Sequence, residues 1–131
     1  MPKAFSGKED VMDRNELFEW VKDRFGTQPE YLWVKFPNFA VFRNKKQKWY
    51  AAVMDISKRK LGLEEDEIID ILNVKCDPLL VGSLRLKEGY FPAYHMNKDK
   101  WISVSLDSAV DDEEIKALVE LSFDLTNENK K

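Results

Sequence analysis

The chain is short of the residues from which most catalytic and cofactor sites are made. Its 131 residues include five glycines, at positions 7, 26, 62, 82 and 89. None are spaced for a G-x-G-x-x-G or Walker-type loop, which excludes the phosphate-cradling nucleotide loops. One histidine, His95, and one cysteine, Cys76, are too few for a zinc site made of imidazole and thiolate. A lone cysteine also forms no internal disulfide. No stretch approaches the roughly 20 apolar residues that a membrane-spanning helix needs. No apolar leader develops across Met1–Asp10 either, so cytoplasm is the expected compartment, with no membrane contact. No serine stands in a G-x-S-x-G elbow. The expectation is a non-enzyme with no catalytic residue, no metal ligand and no cofactor.

What the chain does have is enough apolar material for one core. Hydrophobic residues make up 44% and aromatics 12%, ordinary values for a globular domain of this length. The net charge of −3 argues against a protein that coats nucleic acid through bulk electrostatics. Its distribution is uneven, however. Residues 31–60 carry eight cations against Asp55 alone, a net +7, whereas residues 107–131 carry eight acids against three lysines, a net −5. A basic middle and an acidic C-terminal helix are expected. The acidic groups Glu64–Glu67 and Asp111–Glu114 lack the spacing of a calcium loop, and read as a solvated turn and a helix N-terminus.

Along the chain, residues 1–12 read as a flexible arm and residues 13–131 as one domain. Asp13 and Glu16 form a capping-box pattern ahead of Leu17, Phe18, Val21 and Phe25, and Gly26 ends the helix. An extended stretch around Tyr31–Lys35 follows. Two β-rich runs, Phe39–Arg43 and Lys48–Ile56, flank the polar Asn44-Lys45-Lys46-Gln47 and predict a hairpin with a basic tip. Ile68–Cys76 predicts a strand, and Asp77-Pro78 caps a short helix that should run to Gly89. Tyr90–Lys100 is rich in turn residues. In Trp101–Leu106, Ile102, Val104 and Leu106 alternate with Trp101, Ser103 and Ser105, predicting one core face and one wet face. Asp111 and Glu114 cap a last helix that buries Ile115, Leu118, Val119 and Leu125. Ser122 falls on its apolar stripe, where a bond back to a helix carbonyl would satisfy it. The fold class expected is α+β, an antiparallel sheet with helices mainly on one face and the other face open for contacts.

The densest group of polar recognition residues is Tyr94-His95-Met96-Asn97-Lys98-Asp99-Lys100-Trp101. Lysine and asparagine reach phosphate oxygens, and Tyr, His and Trp offer flat faces for stacking. Such groups also build ordinary turns, with Tyr94 and Trp101 closing the core edge and His95 and Asn97 bonding the turn backbone. The Lys45-Lys46-Gln47-Lys48 tip is equally open to a plain reading, since lysines at a strand edge deter aggregation.

Three segments together resemble a known family: Val74-Lys75-Cys76-Asp77-Pro78, then Tyr94-His95-Met96-Asn97-Lys98-x-x-Trp101-Ile102-Ser103-Val104, then an acidic-capped helix ending at Leu121-Ser122-Phe123-Asp124-Leu125. This combination resembles the MmcQ/YjbR family of bacterial proteins, over roughly residues 13–126. The resemblance implies a CyaY/frataxin-like α+β fold, described as a double-wing DNA-binding arrangement with two projections flanking a helix. That label rests on fold analogy. The motif positions carried over are Lys75, Asp77, Pro78, Tyr94, His95, Asn97, Lys98 and Trp101. One departure stands out: the family often has histidine before the tryptophan, and here Lys100 occupies that position. A role needing a second imidazole is weakened, whereas phosphate contact is not.

The leading expectation is a small DNA-binding module. Lys45, Lys46 and Lys48 on one projection, with Lys75, Lys98 and Lys100 near the other, would meet phosphates, and His95, Asn97 and Trp101 would add local contacts. Six such contacts give a salt slope of about −5 on B-DNA. A protein-interaction adaptor docking through the open sheet face around Trp101 is the alternative. Iron binding on the acidic surface comes third, and small-molecule chemistry centred on Lys75 or His95 fourth.

Overall fold

Asp13 accepts a hydrogen bond from the Glu16 backbone N–H, and Glu16 reaches back to that of Asp13, which starts helix α1, Arg14–Phe25. Gly26, at φ +70°, closes it in the left-handed conformation that glycine adopts without a Cβ penalty. The remaining elements of this computed structural model follow in the order β1 (Ala40–Arg43), β2 (Trp49–Ser57), β3 (Ile68–Lys75), α2 (Pro78–Leu84), β4 (Tyr90–Pro92), β5 (Trp101–Ser105) and α3 (Asp112–Asn127). The structure describes residues 12–107 and 109–127. Residues 1–11 of the expected arm lie outside these, and Met12 is buried against the core. The five strands make one antiparallel sheet in the order β1-β2-β3-β5-β4.

One sheet face is covered by helices. Phe42, Tyr50, Val53, Leu72, Val74, Ile102 and Val104 meet Leu17 and Val21 of α1 and Ile115, Leu118 and Val119 of α3. Each such side chain contributes about 1.5–3 kcal/mol when fully buried. Ser122 sits in the same layer and differs from the expectation. Its Oγ donates to the Tyr50 carbonyl at 2.6 Å and accepts from the Lys75 N–H at 2.8 Å, tying α3 to two strands rather than to its own backbone.

The second face is the main departure from the sequence reading. It was expected to be open, with Ser103 and Ser105 wet. Instead Ser103, Ser105 and Asn73 are all buried. Val41, Ala52, Met54, Ile56, Ile69 and Ile71 form a second apolar layer, covered by Trp33, Trp49, Leu61 and Tyr94. Loops therefore close this face where helices close the other. Ser103 and Asn73 escape water because they pair directly across β3 and β5. Ser103 donates to Asn73 Oδ1 and accepts from the Tyr94 N–H, while Asn73 Nδ2 donates to the Tyr94 carbonyl at 3.1 Å.

Three smaller differences concern boundaries. Tyr31–Lys35 is not a strand; only Glu30 bridges to Val41, and turns follow. The short helix stops at Leu84, before Gly89, because Leu86 and Lys87 bond three residues back rather than four. Gly89 instead serves the approach to β5: at φ +90° its carbonyl accepts from Ser105, and an added Cβ would lie 2.7 Å from a Val110 methyl. Finally, Tyr90–Pro92 within the turn-rich segment is an edge strand.

Candidate nucleic-acid interface

Three strand ends meet beside the C-terminus of α3, and each delivers a lysine. Lys48, Lys75 and Lys100 line one cleft of about 310 Å³, with Asp77, Leu125 and Thr126 among its other walls. Their backbones are pinned by neighbours. Asn44 Oδ1 accepts from the N–H groups of Lys46 and Lys48, while its Nδ2 donates to Thr126 Oγ1 at 3.0 Å, fastening the hairpin to α3. Lys75 donates its N–H to Ser122, and the Lys100 carbonyl accepts from Cys76 at 2.8 Å. None of the three ammonium groups forms an ion pair among the described residues. Asp77 is the acid at this rim, and it is engaged as the cap of α2, accepting from the Leu79 N–H at 2.9 Å. The final carbonyls of α3 add partial negative charge that favours protonated lysines nearby.

The other expected residues go elsewhere. Lys45 and Lys46 stay on the hairpin tip, and Lys45 faces a separate cleft that includes Phe25, Thr27 and Phe123. Lys98 turns its ammonium inward to the Ala93 carbonyl at 2.9 Å. Asn97 Oδ1 accepts from the Asp99 N–H, and its carbonyl accepts from Lys100 and Trp101. Both residues thus build the turn. Trp101 is half-buried and pairs with Lys75 across β5 and β3. His95 is exposed at φ +62°, its ring 4.0 Å from that of Tyr94.

The basic run that follows β2 is largely neutralised. Lys58 lies 2.9 Å from both Glu65 and Glu67, which hold its pKa above the usual lysine value, Glu67 most strongly. Arg59 pairs with Asp66. At the opposite end of α3 from the lysine rim, Tyr90 donates to Glu114, which also binds Lys87 at 3.0 Å. The Tyr90 bond, then the Lys87 bond, hold the Glu114 carboxyl below its ordinary value. Burial chiefly, with Glu114, pushes the Tyr90 phenol up. Burial, reinforced by Asp77, also raises the Cys76 thiol.

A third cleft, which the sequence reading missed, lies on the loop-covered face. Trp33, Phe36, Phe39, Trp49, Met54 and His95 line about 350 Å³. Trp33 meets Trp49 edge to face at 5.7 Å, and Phe36 stacks on Phe39 at 4.7 Å. A β-bulge makes this possible. Phe42 pairs with Ala51 but Arg43 pairs with Trp49, so Tyr50 is the extra residue and both Tyr50 and Ala51 join the helix-covered core. Strict alternation would put Trp49 on that same side; the bulge turns it to the other. The density of aromatic residues between Tyr31 and Phe42 was the available signal.

Among the described residues no group of three or more His, Cys, Asp or Glu could hold a metal ion, and no helix is long and apolar enough to cross a membrane.

Known proteins share this chain's family and fold. The YjbR family profile matches residues 23–125, and the chain belongs to the YjbR family. It is 43% identical over 117 residues to the uncharacterized protein YyaQ of Bacillus subtilis, spanning 88% of this chain and 99% of that one. A crystal structure of a Pseudomonas syringae protein is 44% identical, with a TM-score of 0.86, and covers 88% of this chain and 100% of its own. A Deinococcus radiodurans protein, 22% identical with a TM-score of 0.70 over 92% of this chain and 82% of its own, shares the fold.

Proposed function

We propose that this chain is a non-catalytic, intracellular nucleic-acid-binding module that holds the phosphate backbone of DNA at the rim formed by Lys48, Lys75 and Lys100. The observation carrying this reading is the convergence on one cleft of three lysines from three different strand ends, none of them ion-paired among the described residues. Their backbones are pinned, so the side chains alone remain to be ordered when an anion arrives.

The geometry favours a smaller contact set than six lysines. Lys98 is committed to the turn, and Lys45 and Lys46 sit apart on the hairpin tip. Three phosphate contacts give a salt slope of about −2.7 on B-DNA, and weak, salt-sensitive binding. The adaptor reading loses its stated docking surface, since the sheet face around Ser103 is buried.

The test is fluorescence anisotropy with a labelled DNA oligonucleotide at low salt. The wild type binds, and a variant carrying Lys48→Ala, Lys75→Ala and Lys100→Ala, with an unchanged circular dichroism spectrum, does not. Equal binding by the two proteins overturns the assignment.

A further inference from the structure

We infer that the aromatic cleft receives an unstacked nucleobase, so that the nucleic acid this chain prefers is single-stranded. The inference rests on the phosphate-binding reading and deepens it. The lysine rim and the aromatic cleft share a strand start: Lys48 lines the first and Trp49, the next residue, lines the second. A strand held through its phosphates at the rim and crossing the sheet edge at Lys48–Trp49 would bring a base to the cleft. In a duplex those bases are stacked inside the helix, out of reach of a recessed pocket; in a single strand they turn outward freely.

The lining suits a flat heterocycle. Trp33 and Trp49 stand at 82° to each other, so the cleft offers walls in two directions, and the half-exposed Phe36 adds a third ring face. The volume, about 350 Å³, falls at the small end of the range for ligand pockets. His95 supplies a polar group at the edge. Its left-handed backbone is unusual outside glycine, and the surrounding turn holds it through the Lys98–Ala93 and Asn97–Asp99 bonds. The turn that the sequence singled out thus places an imidazole on the aromatic cleft and one lysine, Lys100, on the rim.

The experiment compares three probes of equal length: single-stranded DNA, its duplex, and a single strand of abasic sites, which keeps the phosphates and lacks the bases. Wild-type protein is expected to bind the single strand at least about tenfold more tightly than the abasic strand, the scale of one base stacked on an aromatic side chain. Phe36→Ala, at an exposed position that spares the core, should bring the two affinities together and leave abasic binding unchanged. A parallel single-stranded RNA arm distinguishes the two sugars. If wild type binds the abasic strand as tightly as the normal one, base capture is wrong and the phosphate rim stands. If the lysine triple variant binds every probe as wild type does, the rim assignment itself has failed, whatever the base dependence shows.

Discussion

The turn between Ala93 and Trp101 and the rim of Lys48, Lys75 and Lys100 use the same residue chemistry to opposite ends. In the turn, a lysine and an asparagine are spent on the chain's own backbone: Lys98 on the Ala93 carbonyl, Asn97 on the Asp99 N–H. At the rim, the backbones are held by Asn44, Ser122 and Cys76 while the ammonium groups form no ion pair among the described residues. A polar side chain held to its own backbone is less free to reach out to a ligand. Shared motif residues and cleft-lining residues therefore overlap only in part, at Lys75, Asp77 and Pro78 on the rim cleft and at His95, which fronts the aromatic cleft.

Substitutions at the two regions should separate cleanly. The largest effect expected is on binding: replacing all three rim lysines by alanine lowers DNA affinity about a hundredfold, on the scale of roughly 1 kcal/mol per basic residue at a polyanionic surface. Thermal stability should barely change, and a differential scan beside the anisotropy measurement checks both. Next is Asn73→Ala, beneath the turn. It strands the Ser103 hydroxyl and the Tyr94 carbonyl in a buried layer, and should cost about 2 kcal/mol by urea denaturation. Asn97→Ala should cost about 1 kcal/mol through loss of a turn bond, with DNA affinity unchanged. An Asn97→Ala variant that stays fully stable but loses binding would erase the distinction between the regions.

The smallest effect is one of pH and lies away from both. The folded-state pKa of Glu114 is depressed, so the stability it brings is complete above the unfolded value of 4.5 and is lost as pH falls below it. Tyr90→Phe removes the leading cause of that depression. Its denaturation midpoint should differ from wild type at pH 7 and converge on it as the pH falls below about 4.5.

How much of this could be read in the sequence depended on whether the signal was local. Asp13 with Glu16, Asp77 with Pro78, and Asp111 with Glu114 each mark a helix start within four residues, and all three hold. The basic hairpin was equally legible. The second sheet face was not, because Ser103 reads as a wet position until the register sets it against Asn73. The aromatic cleft needed more still: the bulge at Tyr50 redirects Trp49, and a loop from Trp33 to Phe39 folds over to meet it. Of the expected contact residues, Lys48, Lys75 and Lys100 came together, while Asn97 and Lys98 bond the turn's own backbone.

The central claim is that the three rim lysines meet phosphates directly, and the salt dependence of duplex DNA binding tests it most directly. Wild type should show a slope of log affinity against log salt of about −2.7, made shallower by about 0.9 in Lys75→Ala and by the same step for each further rim lysine removed. An unchanged slope in the triple variant, or a slope that changes instead with Lys98→Ala, would contradict the account.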